Sequence, residues 1–184
     1  DYSRQNIALI LDRSPVFCPQ LLQIGHNPNV FRKRYDLLDI DVLFFGLVSD
    51  RRRKIIESLQ MTGLNIRAVS GVFGNAMDEL VARSKVVLNI HCYDSHVFEI
   101  VRISHLLNMR KALVTEYHSD TDMDEDLKLA VHCSSLADIG DALMDLVNNE
   151  NKRQELECRG WEVFSKRSQM EMLKKPLYEF GLYR

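Results

Sequence analysis

From Ile40 onward, short apolar runs alternate with longer amphipathic stretches, and no two runs are joined by the two-residue turn of a hairpin. The runs IDVLFFGLV (40–48), LNIRAVS (64–70), KVVLNIH (85–91), ALVTE (112–116) and, more weakly, KLAVHC (128–133) are rich in the β-branched and aromatic residues that suit strands. Strands separated by helices pair in parallel, because a parallel partner is reached only through a crossover. Their apolar character is continuous rather than alternating, as expected when both faces of a sheet are covered. The expected fold is α/β: a Rossmann-like, doubly wound parallel sheet of about five strands with helices on both faces, plus C-terminal helices.

The intervening helices carry end signals. SDRRRKIIESLQMTG closes at Gly63, and NAMDELVARS has Asn75 as its expected N-cap. The helix through Glu99 is expected to begin near Asp94 or Ser95 and to run to about Met109. SRQNIALILDR reads as a helix, and the stretch after it, holding three of the four prolines, reads as an extended connector. LADIGDALMDLVNN and the charged segment from Asn151 to Phe180 read as two further helices, with Trp161 and Phe164 on the apolar side of the second.

Composition narrows the function classes. A formal net charge of −2 gives no basic field for nucleic acid or an anionic membrane, and no apolar run reaches the roughly 18 residues of a membrane span. The cysteines, Cys18, Cys92, Cys133 and Cys158, form no Cys-x-x-Cys pair, so neither zinc nor a disulfide framework is expected and a reducing, cytoplasmic setting is. Asp1 in place of an initiator Met is what a fragment would show.

In an open parallel sheet, ligands bind at the carboxyl ends of the strands. Four segments should meet there: Gly46 with SDRRRK, the GVFG turn, HCYDSH, and EYHSDTDMDED. Arg51, Arg52 and Arg53 occupy the first turn of a helix, where the macrodipole disfavours cations. Either a bound phosphate offsets that, or the run is a solvated surface partly neutralised by Asp50 and Glu57. The amides of His96 and its neighbours would point into the crevice beyond a capping Ser95. Glu99 and Arg102 lie three apart, which fits an intrahelical ion pair on spacing alone and leaves open a carboxylate that holds ribose hydroxyls. His91 and His96 are candidates by position, His118 is undecided, and His105 and His132 read as packing or surface residues. Asp120, Asp122 and Asp124 fail the EF-hand pattern and read as a solvated acidic loop, so no metal is expected. Neither Gly-x-Gly-x-x-Gly nor Gly-x-Ser-x-Gly is present.

The order of DIDVLFFGLVSDRRRKIIESLQMTGLNI, GVFGNAMDELVARSKVVLNIHCYDSHVFEIVRISHLLNMRKALVTE and the leading DYSRQNIALI resembles the carboxyl-terminal half of a GT-B glycosyltransferase of the CgeB-like, group 1 type. The resemblance covers most of residues 1 to 145 and implies a nucleotide-diphosphate-sugar donor with no cofactor. It would put the diphosphate at Gly46 with Arg51, Arg52 or Arg53, and at Ser95 and His96. The base would lie at Gly71, Val72, Phe73 and Gly74, and the ribose at Glu99 with Arg102. Where many relatives carry the first glutamate of Glu-x7-Glu, this sequence has His91, which becomes the catalytic candidate. The resemblance also divides the chain into the end of a preceding domain with a connector (1–35), the nucleotide-sugar-binding domain (36–150) and a C-terminal helix packing back across the connector (151–184). The acceptor-binding N-terminal domain would be missing, and the acceptor is unidentified. A non-catalytic module that binds a phosphorylated effector or a protein partner is the alternative.

Overall fold

The computed structural model describes residues 1–30, 37–93 and 97–182. Its centre is one five-stranded parallel sheet in the order β2-β1-β3-β4-β5, made of β1 (Ile40–Phe45), β2 (Ile66–Val69), β3 (Ser84–Asn89), β4 (Ala112–Glu116) and β5 (His132–Ser134). The helices are α1 (Arg4–Arg13), α2 (Asp50–Gln60), α3 (Gly74–Arg83), α4 (Ile100–Asn108), α5 (Leu127–Ala130), α6 (Ile139–Asn148), α7 (Glu150–Phe164) and α8 (Gln169–Glu179). Both sheet faces are buried, so successive strand residues enter opposite cores. Val42, Phe44, Val86, Leu88 and Val114 pack with α2 and α6, whereas Leu43, Val87 and Leu113 pack with α3, α4 and Phe164. This is the doubly wound α/β arrangement expected from the continuous apolar runs.

Strand order reverses between β1 and β3, since the chain builds outward to β2 and then returns to the far side of β1. A crevice opens at such a switch point because the two neighbouring crossovers leave on opposite faces.

Several elements depart from the sequence expectation. The α3 helix begins at Gly74 with Phe73 as an N-cap that makes no side-chain bond, so Asn75 is not the cap. The α4 helix begins at Ile100 with Glu99 at its N-cap, later than expected; Asp94, Ser95 and His96 lie outside the described residues. In KLAVHC the first residues are helical, because Leu127 and Ala130, three apart, both enter the core, and only His132–Ser134 extends the sheet.

The expected long C-terminal helix is two helices. The break follows α7, where Ser168 caps α8 by accepting from the Glu171 amide, and where Arg167 turns inward to 7% exposure. Arg167 donates to Asp124 at 2.7 Å and to both Asp126 oxygens at 2.5 Å. Asp122 accepts from Ser3 Oγ at 2.8 Å, and Asp124 accepts from Arg4 at 2.8 Å and Gln23 at 2.9 Å. The acidic segment is therefore an ion-paired junction between α1, the connector and the α7–α8 break, and the solvated-loop reading is corrected. The connector crosses here so closely that a Cβ on Gly25 would lie 2.3 Å from the Arg167 carbonyl oxygen. No described helix is long and apolar enough to cross a membrane.

Candidate functional site

The site stands at the switch point and begins with Gly46. Its φ of +131° ends β1, and a Cβ there would sit 2.9 Å from Arg102 Nη1 and 3.7 Å from Arg52 Nη1. Glycine thus lets two guanidiniums reach the strand ends. Arg102, on the first turn of α4, donates to the Phe45 carbonyl at 2.5 Å and to Asn89 Oδ1 at 2.7 Å, bridging β1 and β3. Arg52, on the first turn of α2, donates to the Ile90 carbonyl at 2.6 Å and the Leu47 carbonyl at 3.0 Å. Phe44 lies beneath both, with its ring centroid 5.3 Å from the Arg52 guanidinium carbon and 6.0 Å from that of Arg102.

Glu99 is the counter-ion of the pair. It accepts from Arg52 at 2.6 Å and is also ion-paired with Arg102. The expected α4 ion pair is present, then, and a cation from α2 shares the carboxylate. Burial first, and then the like charge of Arg52, pushes the Arg102 guanidinium down to about 9, and burial lowers Arg52 as well. Both stay charged at neutral pH. Glu99 remains 26% exposed with one guanidinium on each oxygen, and an ionised carboxylate has lone pairs for more than two donors, so ligand donors can join the two arginines.

The three arginines of α2 have separate fates. Arg52 is 2% exposed and committed to carbonyls and Glu99. Arg51 donates to both oxygens of Glu116 and, at 3.0 Å, to the His91 carbonyl, with its side chain still 26% exposed. Arg53 turns to solvent and pairs with Asp50 at 3.2 Å. Asp50 thus neutralises only one of the three, and protein carboxylates at the strand ends meet the other two.

Glu116, fully buried at the end of β4, was not singled out by the sequence. Burial alone would raise its pKa, but Arg51, His118 at 2.9 Å and the His91 amide at 2.9 Å together bring the carboxyl down to about 2. His118, undecided before, is placed by this contact. His91 is 2% exposed, and its ring lies 6.2 Å from that of His118, so the catalytic candidate sits under the rim of the crevice.

Beside this charged floor, a cavity of about 520 Å³ lies between the ends of β1 and β2 and the start of α3. Phe45, Leu47, Val69, Val72, Phe73 and Met77 form its apolar walls, Gly71 and Gly74 its turn, and Asp78 and His105 its titratable groups. The GVFG residues all line this cavity. His105, taken as packing or surface, instead faces the cavity and bonds Asp78 Oδ1 through Nε2 at 2.8 Å. The signal was available in the sequence, since His105 lies one turn beyond Arg102 on α4. A second cavity of about 620 Å³, between residues 24–30 and the start of α8, has no Arg, Lys, Asp or Glu among its described lining residues. Among the described residues, no group of three or more His, Cys, Asp or Glu could hold a metal ion.

No family model matches the chain. Two uncharacterized proteins of Acanthamoeba polyphaga mimivirus are similar to it: L140, 31% identical over 120 residues (63% of this chain, 39% of L140), and L137, 33% identical over 106 residues (55% and 14%). Solved structures share its fold at low identity. They include sucrose-phosphate synthase from Thermosynechococcus elongatus (TM-score 0.63, 12% identity, 97% of this chain and 58% of that one) and a glycosyltransferase from Rickettsia africae (0.56, 13%, 97% and 61%). A third is an S. aureus TarM variant in complex with Fondaparinux, alpha-GlcNAc-glycerol and UDP (0.60, 14%, 97% and 42%). The chain therefore spans roughly half the length of these structures, and less of its mimivirus relatives. The likeness to the solved structures is one of fold.

Proposed function

We propose that the crevice at the switch point is the donor site of a GT-B glycosyltransferase of the CgeB-like, group 1 type, which binds a nucleoside-diphosphate sugar. The observation that carries this reading is Arg52 and Arg102 sharing Glu99 at the ends of β1 and β3, with Arg51 anchored on Glu116 and the His91 carbonyl at the ends of β3 and β4, beside an apolar cavity of base-accommodating size. The shared fold with glycosyltransferases supports it. In this reading the chain is the donor-binding half, and an N-terminal domain beyond it holds the acceptor; the chain's partial span of the fold relatives supports that division. The unpaired cysteines favour a cytoplasmic setting.

The chemistry asked of the site is electrostatic. Sugar transfer leaves negative charge on the departing diphosphate, and fixed positive groups stabilise that charge without a metal. Arg51 is the cation this reading assigns to the task, being 26% exposed and tethered by Glu116 and the His91 carbonyl at the strand ends. Arg52 and Arg102 hold Glu99, one on each carboxylate oxygen, and the lone pairs left on those oxygens accept from two vicinal ribose hydroxyls. Gly46 contributes by admitting the guanidiniums. His91 keeps the catalytic candidacy that the resemblance assigns it; Ser95 and His96, which it assigns to the phosphates, lie outside the described residues.

Calorimetric titration of the chain with GDP and UDP tests the reading. Binding should weaken tenfold or more in Arg51→Ala and stay within twofold in Arg53→Ala, whose side chain points to solvent; these are about the sizes expected for a charge-assisted contact and for none. Absence of binding by every nucleoside diphosphate would overturn it.

A further inference from the structure

The geometry points to guanine as the base of the donor, read by the Asp78 carboxylate; this rests on the donor-site reading and deepens it. Asp78 lies on α3, one turn beyond the Gly71–Gly74 turn, and its side chain lines the 520 Å³ cavity at 25% exposure. Its Oδ1 is held by His105 Nε2 at 2.8 Å, so the carboxylate is aimed by a group on the neighbouring α4 helix. Among the described residues its Oδ2 makes no hydrogen bond. Among the described residues, no other carboxylate and no Lys or Arg lines this cavity.

An ionised carboxylate offers acceptors only. It pairs with a base edge that presents two neighbouring donors, and guanine supplies them in N1–H and its exocyclic amino group. Uracil presents a single N–H between two carbonyl oxygens, which would face the carboxylate as like charges. Adenine and cytosine each set one amino group beside a ring-nitrogen acceptor, so half of their edge is repelled. The remaining walls fit any flat base. Phe73, 82% exposed at the lip, offers a ring for stacking, and Phe45, Leu47, Val69 and Val72 enclose the other sides. Stacking therefore retains a base without choosing it, and the one acceptor-only group makes the choice.

The test is calorimetric titration of the chain with GDP, UDP, ADP and CDP, repeated on Asp78→Asn and Phe73→Ala. GDP should bind at least about tenfold tighter than the other three, the discrimination a bidentate base contact provides. Asp78→Asn, which replaces one acceptor by a donor, should reduce that preference to about twofold or less while UDP affinity holds. Phe73→Ala should weaken all four in similar proportion. UDP, ADP or CDP binding as tightly as GDP, or a preference for GDP that survives Asp78→Asn, would overturn the guanine assignment and leave the donor site standing. Failure of all four to bind would remove the donor site and the assignment together.

Discussion

At Gly46 the backbone and the site make the same demand. A φ of +131° is costly for any residue with a Cβ, and that Cβ would also push against Arg102. Gly46→Ala should destabilise the chain by about 2–3 kcal/mol, measured by urea denaturation, and weaken nucleotide binding in parallel. Glu99 separates two roles by its replacement. Glu99→Ala leaves two enclosed guanidiniums without their counter-ion and should cost about 2–4 kcal/mol of stability, whereas Glu99→Gln keeps an acceptor and should cost less while still weakening nucleotide binding.

Glu116 makes a pH prediction. Its carboxyl titrates near 2 in the folded chain against an ordinary 4.5, so the folded state favours the ionised form. The stability this supplies is fully present above pH 4.5 and is lost as the pH falls toward 2. Acid-unfolding curves of the wild-type chain should therefore steepen across that window, and Glu116→Gln should flatten them. An unchanged curve would mean that the Arg51 and His118 contacts do not hold the carboxylate in solution.

Among the elements, the strands were the most legible, because a buried parallel strand writes an unbroken apolar run that little else imitates. The β4 strand appears over the residues expected, while β1 stops at Phe45 because Gly46 turns the chain into the crevice. The helix ends were less legible. The α3 and α4 helices start without a side-chain cap, so Asn75, Asp94 and Ser95 were misleading as start signals. The α7–α8 break has neither Gly nor Pro to mark it; it is made by Arg167 reaching acids more than forty residues earlier in sequence, a tertiary cause no local pattern records. Arg167→Ala should cost about 2–4 kcal/mol in urea denaturation by leaving Asp124 and Asp126 short of a buried partner. It should leave nucleotide affinity within twofold, because the Arg167 guanidinium is spent on Asp124 and Asp126 and on none of the crevice residues.

For the molecule as a whole, topology gathers the site. Strand reversal between β1 and β3 brings α2 and α4 to one crevice, which is why two arginines about fifty residues apart share one carboxylate. That Arg51, Arg52 and Glu99 would meet at one rim was readable from strand order and residue type. That Arg52 would be consumed by carbonyls, Arg53 left outside and Glu116 buried behind Arg51 was not, since each depends on which way a side chain leaves its helix. The acidic junction, α1 and the α7–α8 break form a second centre that holds the chain's two ends against the sheet domain, and its Asp122 bridges to Val97, two residues before Glu99.

The most direct measurement is a crystal structure of the chain with GDP bound. The diphosphate should lie within hydrogen-bond reach of Arg51, the ribose hydroxyls on Glu99 and the base between Phe73 and Val69. A nucleotide seated instead in the cavity between the connector and α8, or Arg51 and Glu99 both turned away from it, would overturn the donor site.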